Sequence, residues 1–326
     1  MPIYNVIAVF FLFISTNSYA GDLFDMLQRM ADANQNQNYQ GVFILRKSDK
    51  LSTIKVSHGA DENGVWESLT TLNGRSKKVV RRNSKIYSIY PDRELITIRH
   101  RAEDQSLHLQ LPDNINQLDL FYSLNRLDDD RIAGYQALVV DLIPKDQYRY
   151  GYRYWVDIKT GMLLRCDMVA EDKTVVQQMM FTSLQYLEAS PVPSFDLSHF
   201  GHYQQILLDM NGAKDLRNSP TQWVVNVLPK GFRLTQSMMR NSTTDNKDTT
   251  GLVHMVYSDG LASVSIFIEQ RRSGGKHVQG VSSMGAVNAY GLSVDDYFVT
   301  VVGEVPVKTV QSMARSTVKL SAGTSN

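Results

Sequence analysis

Cysteine is nearly absent from this sequence, since Cys166 is the only one in 326 residues. A lone thiol cannot form an internal disulfide, so the chain must be stabilised by burial of apolar side chains, which its length permits. Cys166 stands in an alternating apolar run, which indicates a small buried hydrophobic residue. The composition therefore excludes the disulfide-stapled scaffolds of small secreted proteins.

An excess of one charge is also missing. The chain has 34 Lys and Arg residues against 33 Asp and Glu residues, which gives a formal net charge of +1. No global electrostatic field draws such a chain to nucleic acid, and we expect no nucleic-acid partner. Charged residues make up 21% and apolar residues 43% of the chain, as in ordinary soluble globular proteins.

No apolar run is long enough to cross a bilayer. The run at 6–14 is too short, and it is followed by Ser18, Tyr19 and Ala20 in a small-x-small pattern. This arrangement predicts a secretory signal peptide that is cleaved after Ala20, although only the α-amino group supplies positive charge before the run. Gly21 follows the predicted cut, so we expect no lipid anchor on a mature N-terminal cysteine.

Catalytic and nucleotide-binding motifs are absent. The sequence has no nucleophile elbow, no phosphate-binding loop and no dinucleotide fingerprint. Serine, histidine and carboxylate side chains are all present, but no spacing selects a triad among them. We therefore predict that the protein is not an enzyme and that it has no catalytic residue and no cofactor.

Two stretches have a metal-like spacing without a full set of ligands. His199 and His202 have no cysteine or third histidine near them, whereas a zinc site needs three or four ligands. Residues 128–130 are aspartates, but Ile132 and Ala133 stand where a calcium loop needs an oxygen ligand and a glycine. We predict a solvated loop at 128–130 and no metal site.

A dense alternation at 148–187 organises the rest of the chain. Four tyrosines at the even positions from 148 to 154 alternate with charged residues such as Arg149 and Arg153. Period two places the tyrosines on one face of a strand and the charges on the other. Turns at Gly161 and at 171–173 lead into two more strand patterns. The sequence predicts an antiparallel meander with one face towards a core.

The apolar face of this meander has two interpretations. One is ordinary core. The other is the lining of an apolar cavity, because six aromatic or branched residues on one strand face exceed what a thin sheet needs. The candidate lipid-cavity residues are Tyr148, Tyr150, Tyr152, Tyr154, Val156, Met162, Leu164 and Met168.

Two basic clusters leave a similar choice. Each is either a solvated surface or an anion site for a lipid head-group phosphate or an acidic partner segment. The first cluster follows Asn73-Gly74, which is a strong hairpin pattern. The candidates for anion or partner contact are Lys77, Lys78, Arg81, Arg82, Arg271 and Arg272.

The remaining patterns predict an α+β fold with two domains. Helical spacing covers 113–127 and 203–210, and it also starts at Asp22 and after Pro306. Short strand patterns fill the rest of both halves. Prolines and a polar run near 211–220 interrupt the periodicity. The predicted order is a signal peptide at 1–20, a large domain at 21–210, a linker at 211–222, a smaller β-rich domain at 223–320 and a tail at 321–326.

Motifs in both halves resemble a known family. The run WVDIKTGMLLR at 155–165 resembles the W-[VI]-D-x-x-[TS]-G-[LM]-x-x-R run of the periplasmic lipoprotein-carrier fold. In the second half, PKGF at 229–232 and HMVYSDGLASVS at 254–265 are similar to the MucB/RseB family of sigma-E regulatory proteins. The resemblance covers essentially the whole mature chain.

This resemblance implies a fold and a function. The large domain would be an unclosed antiparallel β-barrel whose internal helices plug an apolar cavity. The protein would be a periplasmic negative regulator that binds the periplasmic domain of a membrane-anchored anti-sigma factor and shields it from proteolysis. A lipid or lipopolysaccharide ligand would displace the regulator and start the envelope-stress response.

A periplasmic lipid or lipoprotein carrier that uses the same cavity is the alternative function. A pure carrier needs no second domain, which favours the regulator. A hydrolase would need a nucleophile that the sequence does not offer. The natural ligand, the residues that contact the partner and the formation of a homo-oligomer stay open at this point.

Overall fold

A computed structural model of the chain describes residues 19–62, 64–100, 115–190, 200–208, 213–215, 222–242, 250–271 and 277–320. Strands dominate and form a 12-stranded sheet, a 7-stranded sheet and a two-stranded ribbon. The predicted α+β class, with a large unclosed sheet and a smaller β-rich part, is confirmed. Within the described ranges, no helix combines the length and the apolar character that crossing a membrane requires.

The large sheet, with the helix that covers it, forms what we call the large domain. Its strands are β1 Tyr39–Lys47, β2 Lys50–Asp61, β3 Gly64–Thr71, β4 Lys78–Arg82, β5 Lys85–Tyr90, β6 Leu95–His100, β7 Tyr122–Ile132, β8 Tyr135–Pro144, β9 Gly151–Asp157, β10 Leu163–Val169, β11 Val175–Tyr186 and β12 Gln204–Leu207. They lie in the order β12-β6-β5-β4-β3-β2-β1-β11-β10-β9-β8-β7, with the β12–β6 pair parallel and the others antiparallel. Because β12 and β7 end the order, the sheet is unclosed.

The predicted meander is confirmed as β9, β10 and β11, which pair with one another in that order. The helix α1, Tyr19–Asn36, packs buried apolar side chains such as Leu27 and Met30 into the same core. Gly161 turns the chain between β9 and β10 with φ +80°, and a Cβ there would lie 3.0 Å from the backbone oxygen of Arg29 in α1. The glycine therefore permits both the turn and the close approach of α1.

One predicted helix of the large domain forms only in part, and another is wrong. The pattern at 113–127 becomes a 3-10 helix, Ile115–Leu120, followed by the edge strand β7. Asp129 and its two neighbours, predicted as a loop, lie exposed within β7, where the pairing with β8 shifts between Leu127 and Asp130. The segment at 203–210 contains β12, which pairs with β6. In each case backbone pairing with a neighbouring strand overrides local helical spacing.

The small sheet and a covering helix form what we call the small domain. Its elements are β13 Ala213–Asp215, β14 Trp223–Val225, β15 Arg233–Ser242, β16 Thr250–Ser258, β17 Ser263–Gln270, β18 Gly280–Met284, β19 Val287–Val294, β20 Tyr297–Gly303, α2 Val307–Arg315 and β21 Thr317–Lys319. The sheet order is β13-β15-β16-β17-β20-β19-β18, and β14 pairs with β21 in the ribbon. The helix predicted after Pro306 is confirmed, with Val310 and Met313 buried against the sheet.

Parts of the predicted domain order fall outside the described residues. The signal peptide lies there up to residue 18, as do most of the linker and the tail at 321–326. Residues 213–215 of the predicted linker form β13 at the edge of the small sheet. The domain boundaries therefore stay a prediction.

Candidate functional site at the junction of the two domains

The loop between β8 and β9 carries three consecutive residues that each contact a different part of the small domain. The Thr309 hydroxyl, in the first turn of α2, donates a hydrogen bond of 2.7 Å to the backbone oxygen of Tyr148. Arg149 reaches the turn between β16 and β17, where Asp259 lies. Asn288 of β19 donates a hydrogen bond of 3.0 Å to the Tyr150 hydroxyl. One short loop of the large domain thus contacts the small domain at three places.

The Arg149 side chain is fully buried and is the centre of this contact. Its Nε and Nη2 atoms donate to the two carboxylate oxygens of Asp146 at 3.1 and 3.0 Å. Its Nη1 atom donates to Asp259 at 2.5 Å, and Nη2 also donates to the backbone oxygen of Lys230 at 2.6 Å. The guanidinium carbon lies 4.8 Å from the Phe121 ring centre and 5.4 Å from that of Phe232. We call these six residues the Arg149 junction.

Both second-half motifs that resemble the MucB/RseB family meet at the Arg149 junction. PKGF at 229–232 supplies the Lys230 backbone oxygen and the Phe232 ring. The run at 254–265 supplies Asp259, whose Oδ1 atom accepts the N–H groups of Leu261 and Ala262 while Oδ2 accepts Arg149. One carboxylate therefore closes its own turn and binds the other domain.

Asn288 provides a second buried polar contact between the domains. Besides the Tyr150 hydroxyl, its amide donates to the backbone oxygen of Val305 at 2.8 Å, and the side chain is buried. At the rim, Lys47 pairs with Glu304 at 3.2 Å, but the Lys47 side chain is half exposed. An exposed pair of this kind contributes little, so the buried contacts dominate the junction.

A cavity of about 870 Å³ opens beside the Arg149 junction. The large domain contributes apolar residues such as Leu142 and Tyr152 together with charged residues of the β8–β9 loop and the β10–β11 turn. The small domain contributes Gly285, Asn288, Pro306 and Val307. An occupant of this cavity would therefore touch both domains at once.

The predicted cavity residues divide between this junction and the core of the large domain. Tyr150 and Tyr152 line the junction cavity, and Tyr148 lies half-buried beside Lys308 of α2. The others are packed in the large-domain core, where burial raises the pKa of Tyr154 well above its ordinary value and keeps it neutral. The residues in the core are Tyr154, Val156, Met162, Leu164 and Met168. A lipid cavity inside the large domain stays a prediction.

The first basic cluster does not form one patch. Lys78 and Arg82 share one face of β4, and Arg81 lies on the other, where its side chain is buried 3.9 Å from Glu67. Lys77 precedes the strand and lies over the Tyr90 ring. In the second cluster Arg271 is exposed, and Arg272 lies outside the described residues. Their contact with an anion or partner stays a prediction.

Sequence reasoning missed Arg149, which the alternation had placed with the solvent-facing charges. Arg149 lies before β9, which begins only at Gly151, so the alternation of side chains along the strand does not apply to it. His199, the other metal candidate beside His202, lies outside the described residues. Across the described ranges, no three His, Cys, Asp or Glu side chains come together as metal ligands.

Comparisons with known proteins cover both domains. Residues 22–199 match the family model of the MucB/RseB N-terminal domain, and residues 217–318 match that of the MucB/RseB C-terminal domain. The sigma factor AlgU regulatory protein MucB of Pseudomonas aeruginosa is 31% identical over 302 residues, which cover 91% of each chain. The sigma-E factor regulatory protein RseB of Haemophilus influenzae is 24% identical over 292 residues, which cover 89% of each chain.

Solved structures match over the same length. The crystal structure of MucB in complex with MucA(peri) has a TM-score of 0.69 at 28% identity, covering 91% of this chain and 99% of that chain. The Pseudomonas aeruginosa MucA/MucB complex has a TM-score of 0.71 at 28% identity, covering 92% of this chain and 100% of that chain. The chain therefore belongs to the MucB/RseB family.

Proposed function

We propose that this protein is a periplasmic negative regulator of the sigma-E envelope-stress response. It binds the periplasmic part of a membrane-anchored anti-sigma factor, shields that segment from proteolysis and is released by lipid or lipopolysaccharide-type ligands. The observation that carries the proposal is the full-length match to MucB, which was solved in complex with MucA(peri). The names of the relatives, all sigma factor regulatory proteins, support the same class.

We place the partner in the junction cavity. Because both domains line it, its shape depends on the angle that the Arg149 junction sets between them. Its volume of about 870 Å³ suits a short peptide segment better than a folded partner, since pockets of roughly 300–1,000 Å³ bury ligands of small size. Apolar walls beside paired charges, such as Arg153 with Asp141, suit a segment with both kinds of side chain.

The lipid ligand belongs in the large domain, and Tyr152 gives it a physical connection to the partner site. Tyr152 lines the junction cavity and stacks on Tyr154 in the core at 5.9 Å between ring centres. It also contacts the Tyr122 ring at 6.4 Å, next to Phe121 of the Arg149 junction. A ligand that displaces these rings in the core would change the cavity wall, which is the negative coupling that release requires.

The proposal predicts saturable binding that lipid weakens. Purified residues 21–326 should bind the periplasmic segment of the cognate anti-sigma factor with a dissociation constant of about 1 µM or below in biolayer interferometry. Lipopolysaccharide should raise that constant roughly 5- to 150-fold, the usual range of coupling between two sites. The bound segment should also resist a site-specific periplasmic protease.

Each result that would contradict the proposal points to a different part of it. Absence of saturable binding at micromolar concentration removes the regulator function. Tight binding that lipopolysaccharide leaves unchanged removes the release step alone. Transfer of labelled lipid to acceptor vesicles, without binding of the anti-sigma segment, would establish the lipid carrier instead.

A further inference from the structure

One side of the small sheet ends in the edge strand β18. Among the described residues β18 pairs with β19 alone, so its other side presents unpaired backbone groups. Natural edge strands are commonly shielded by charged side chains or proline. β18 has neither, whereas the edge strand β7 of the large sheet carries three consecutive aspartates and two arginines.

Exposed apolar side chains concentrate at this edge. Val278 and Met284 are each 72% exposed, which is more than any other large apolar side chain in the described ranges. Val281, in the middle of β18, is 45% exposed. Val281 and Met284 are three residues apart and therefore point to opposite faces of the strand, which places exposed apolar side chains on both faces of this edge.

The register identifies the backbone groups that face the free side. A two-residue turn at 285–286 joins β18 to β19, and Met284 pairs with Val287 across it. The pair that closes such a hairpin is hydrogen-bonded, and hydrogen-bonded pairs alternate with non-bonded pairs along an antiparallel ladder. The N–H and C=O groups of Ser283 and Val281 therefore point away from β19.

We propose that the free edge of β18 binds an extended, mainly apolar segment of the protein partner as an added strand. This proposal rests on the proposed function, because the partner site is its starting point. Gly285, which follows β18, and Asn288, which pairs with Ser283, both line the junction cavity. A segment that leaves the cavity can therefore continue along β18, with backbone hydrogen bonds giving affinity and Val281 and Met284 giving apolar contact.

Two other arrangements fit the geometry less well. The edge strand β12 also lacks charged residues, but none of its residues lines the cavity. Pairing of β18 with a second copy would bury only five residues per chain, which is far below the area of a stable dimer. A partner that already occupies the junction cavity needs no large additional area, so five residues of β18 are enough to extend the proposed interface.

Val281→Pro tests the added strand, and Val281→Ala is its matched control. Proline removes the outward N–H without touching a β18–β19 hydrogen bond, whereas alanine keeps that N–H and removes apolar contact only. We expect Val281→Pro to weaken binding of the cognate anti-sigma segment at least about tenfold, and Val281→Ala to weaken it less than about threefold. MucA(peri) serves as a second probe, and circular dichroism monitors the fold.

If the Val281→Pro variant does not fold, Val281→Lys tests the added strand instead. A charge at an edge strand opposes strand addition and leaves the backbone intact, so a comparable loss is expected. Wild-type affinity in every folded variant would overturn the proposal. The proposal would also be overturned if a folded variant lost a dimer that the wild type forms in sedimentation while its binding of the partner stayed unchanged. In that case β18 would pair two copies of the chain. Failure of the wild type to bind the segment contradicts the proposed function itself, which separates the two results.

Discussion

Replacing Arg149 with methionine is expected to lower the free energy of unfolding by about 3–5 kcal/mol, which corresponds to roughly 10 °C in Tm. The Arg149 side chain is fully buried, and Asp259 is 1% exposed. Removing the guanidinium leaves the buried Asp259 carboxylate without its positively charged partner. It also leaves the Lys230 backbone oxygen without its hydrogen-bond donor. Differential scanning calorimetry of the mature protein measures the effect.

Arg153→Met is the matched control for this substitution. Arg153 lies four residues further along and also pairs with an aspartate, Asp141, at 2.5 Å, but its side chain is 40% exposed. Because Arg153 keeps much of its side chain in solvent, its bidentate pair with Asp141 should contribute less than the buried Arg149 contacts, so the control should unfold closer to the wild-type temperature than Arg149→Met does. Equal losses in Arg149→Met and Arg153→Met would contradict the central role of the Arg149 junction.

A double-mutant cycle with Asp259→Asn isolates the pair itself. Asparagine keeps the side-chain oxygen that closes the turn at Leu261 and Ala262, and it removes the charge. The combined variant should lose about 1–3 kcal/mol less than the sum of the two single losses. Strict additivity would mean that Arg149 and Asp259 do not interact across the domains.

Gly231→Ala is expected to destabilise the same junction from the small domain, by about 2–4 kcal/mol. Gly231 has φ +89°, a conformation that side chains other than glycine adopt at a cost. A Cβ on Gly231 would also overlap the Phe121 ring, which lies over the Arg149 guanidinium. Thermal unfolding measures the loss, and the affinity for the anti-sigma segment should fall with it.

Gly260→Ala separates the strain of the backbone from the clash. Gly260 has φ +96° and follows Asp259 directly, but no heavy atom lies within 4 Å of its missing Cβ. Only the conformational cost of about 1–2 kcal/mol applies to this variant. If Gly260→Ala lost as much stability as Gly231→Ala, the contact of Phe121 with Gly231 would have no part in the junction.

The buried junction also constrains the release of the partner by a ligand that we propose. A ligand shifts an equilibrium between two arrangements only by its difference in affinity for them. A lipid that separated the domains would therefore need to offset the loss of the Arg149 contacts. Movement of Tyr152, which belongs to both the core and the cavity wall, needs no such separation.

Much of the fold was predictable because period two is a strong local pattern. The meander and the helix α2 follow from alternation, turn glycines and the Pro306 start. The family was predictable because WVDIKTGMLLR and PKGF stand in separate domains of one chain. These features depend on residues close together in sequence.

The Arg149 junction was not predictable, because it joins residues that are far apart in sequence. Arg149 and Asp259 are 110 positions apart, and no sequence pattern predicts their contact. The alternation of tyrosines and arginines favoured an exposed Arg149, whereas a loop between β8 and β9 turns it into the small domain. The strand β7 was missed for a related reason, since its pairing with β8 is tertiary and its local spacing is helical.

The most direct test of this account is hydrogen exchange of the mature protein, measured by mass spectrometry with and without the periplasmic anti-sigma segment. We propose that the partner lies in the junction cavity. We therefore expect slower exchange on binding at 141–153, which contains the β8–β9 loop, and at 305–309, where α2 begins. Unchanged exchange in both stretches, with protection confined to other surfaces, would contradict it.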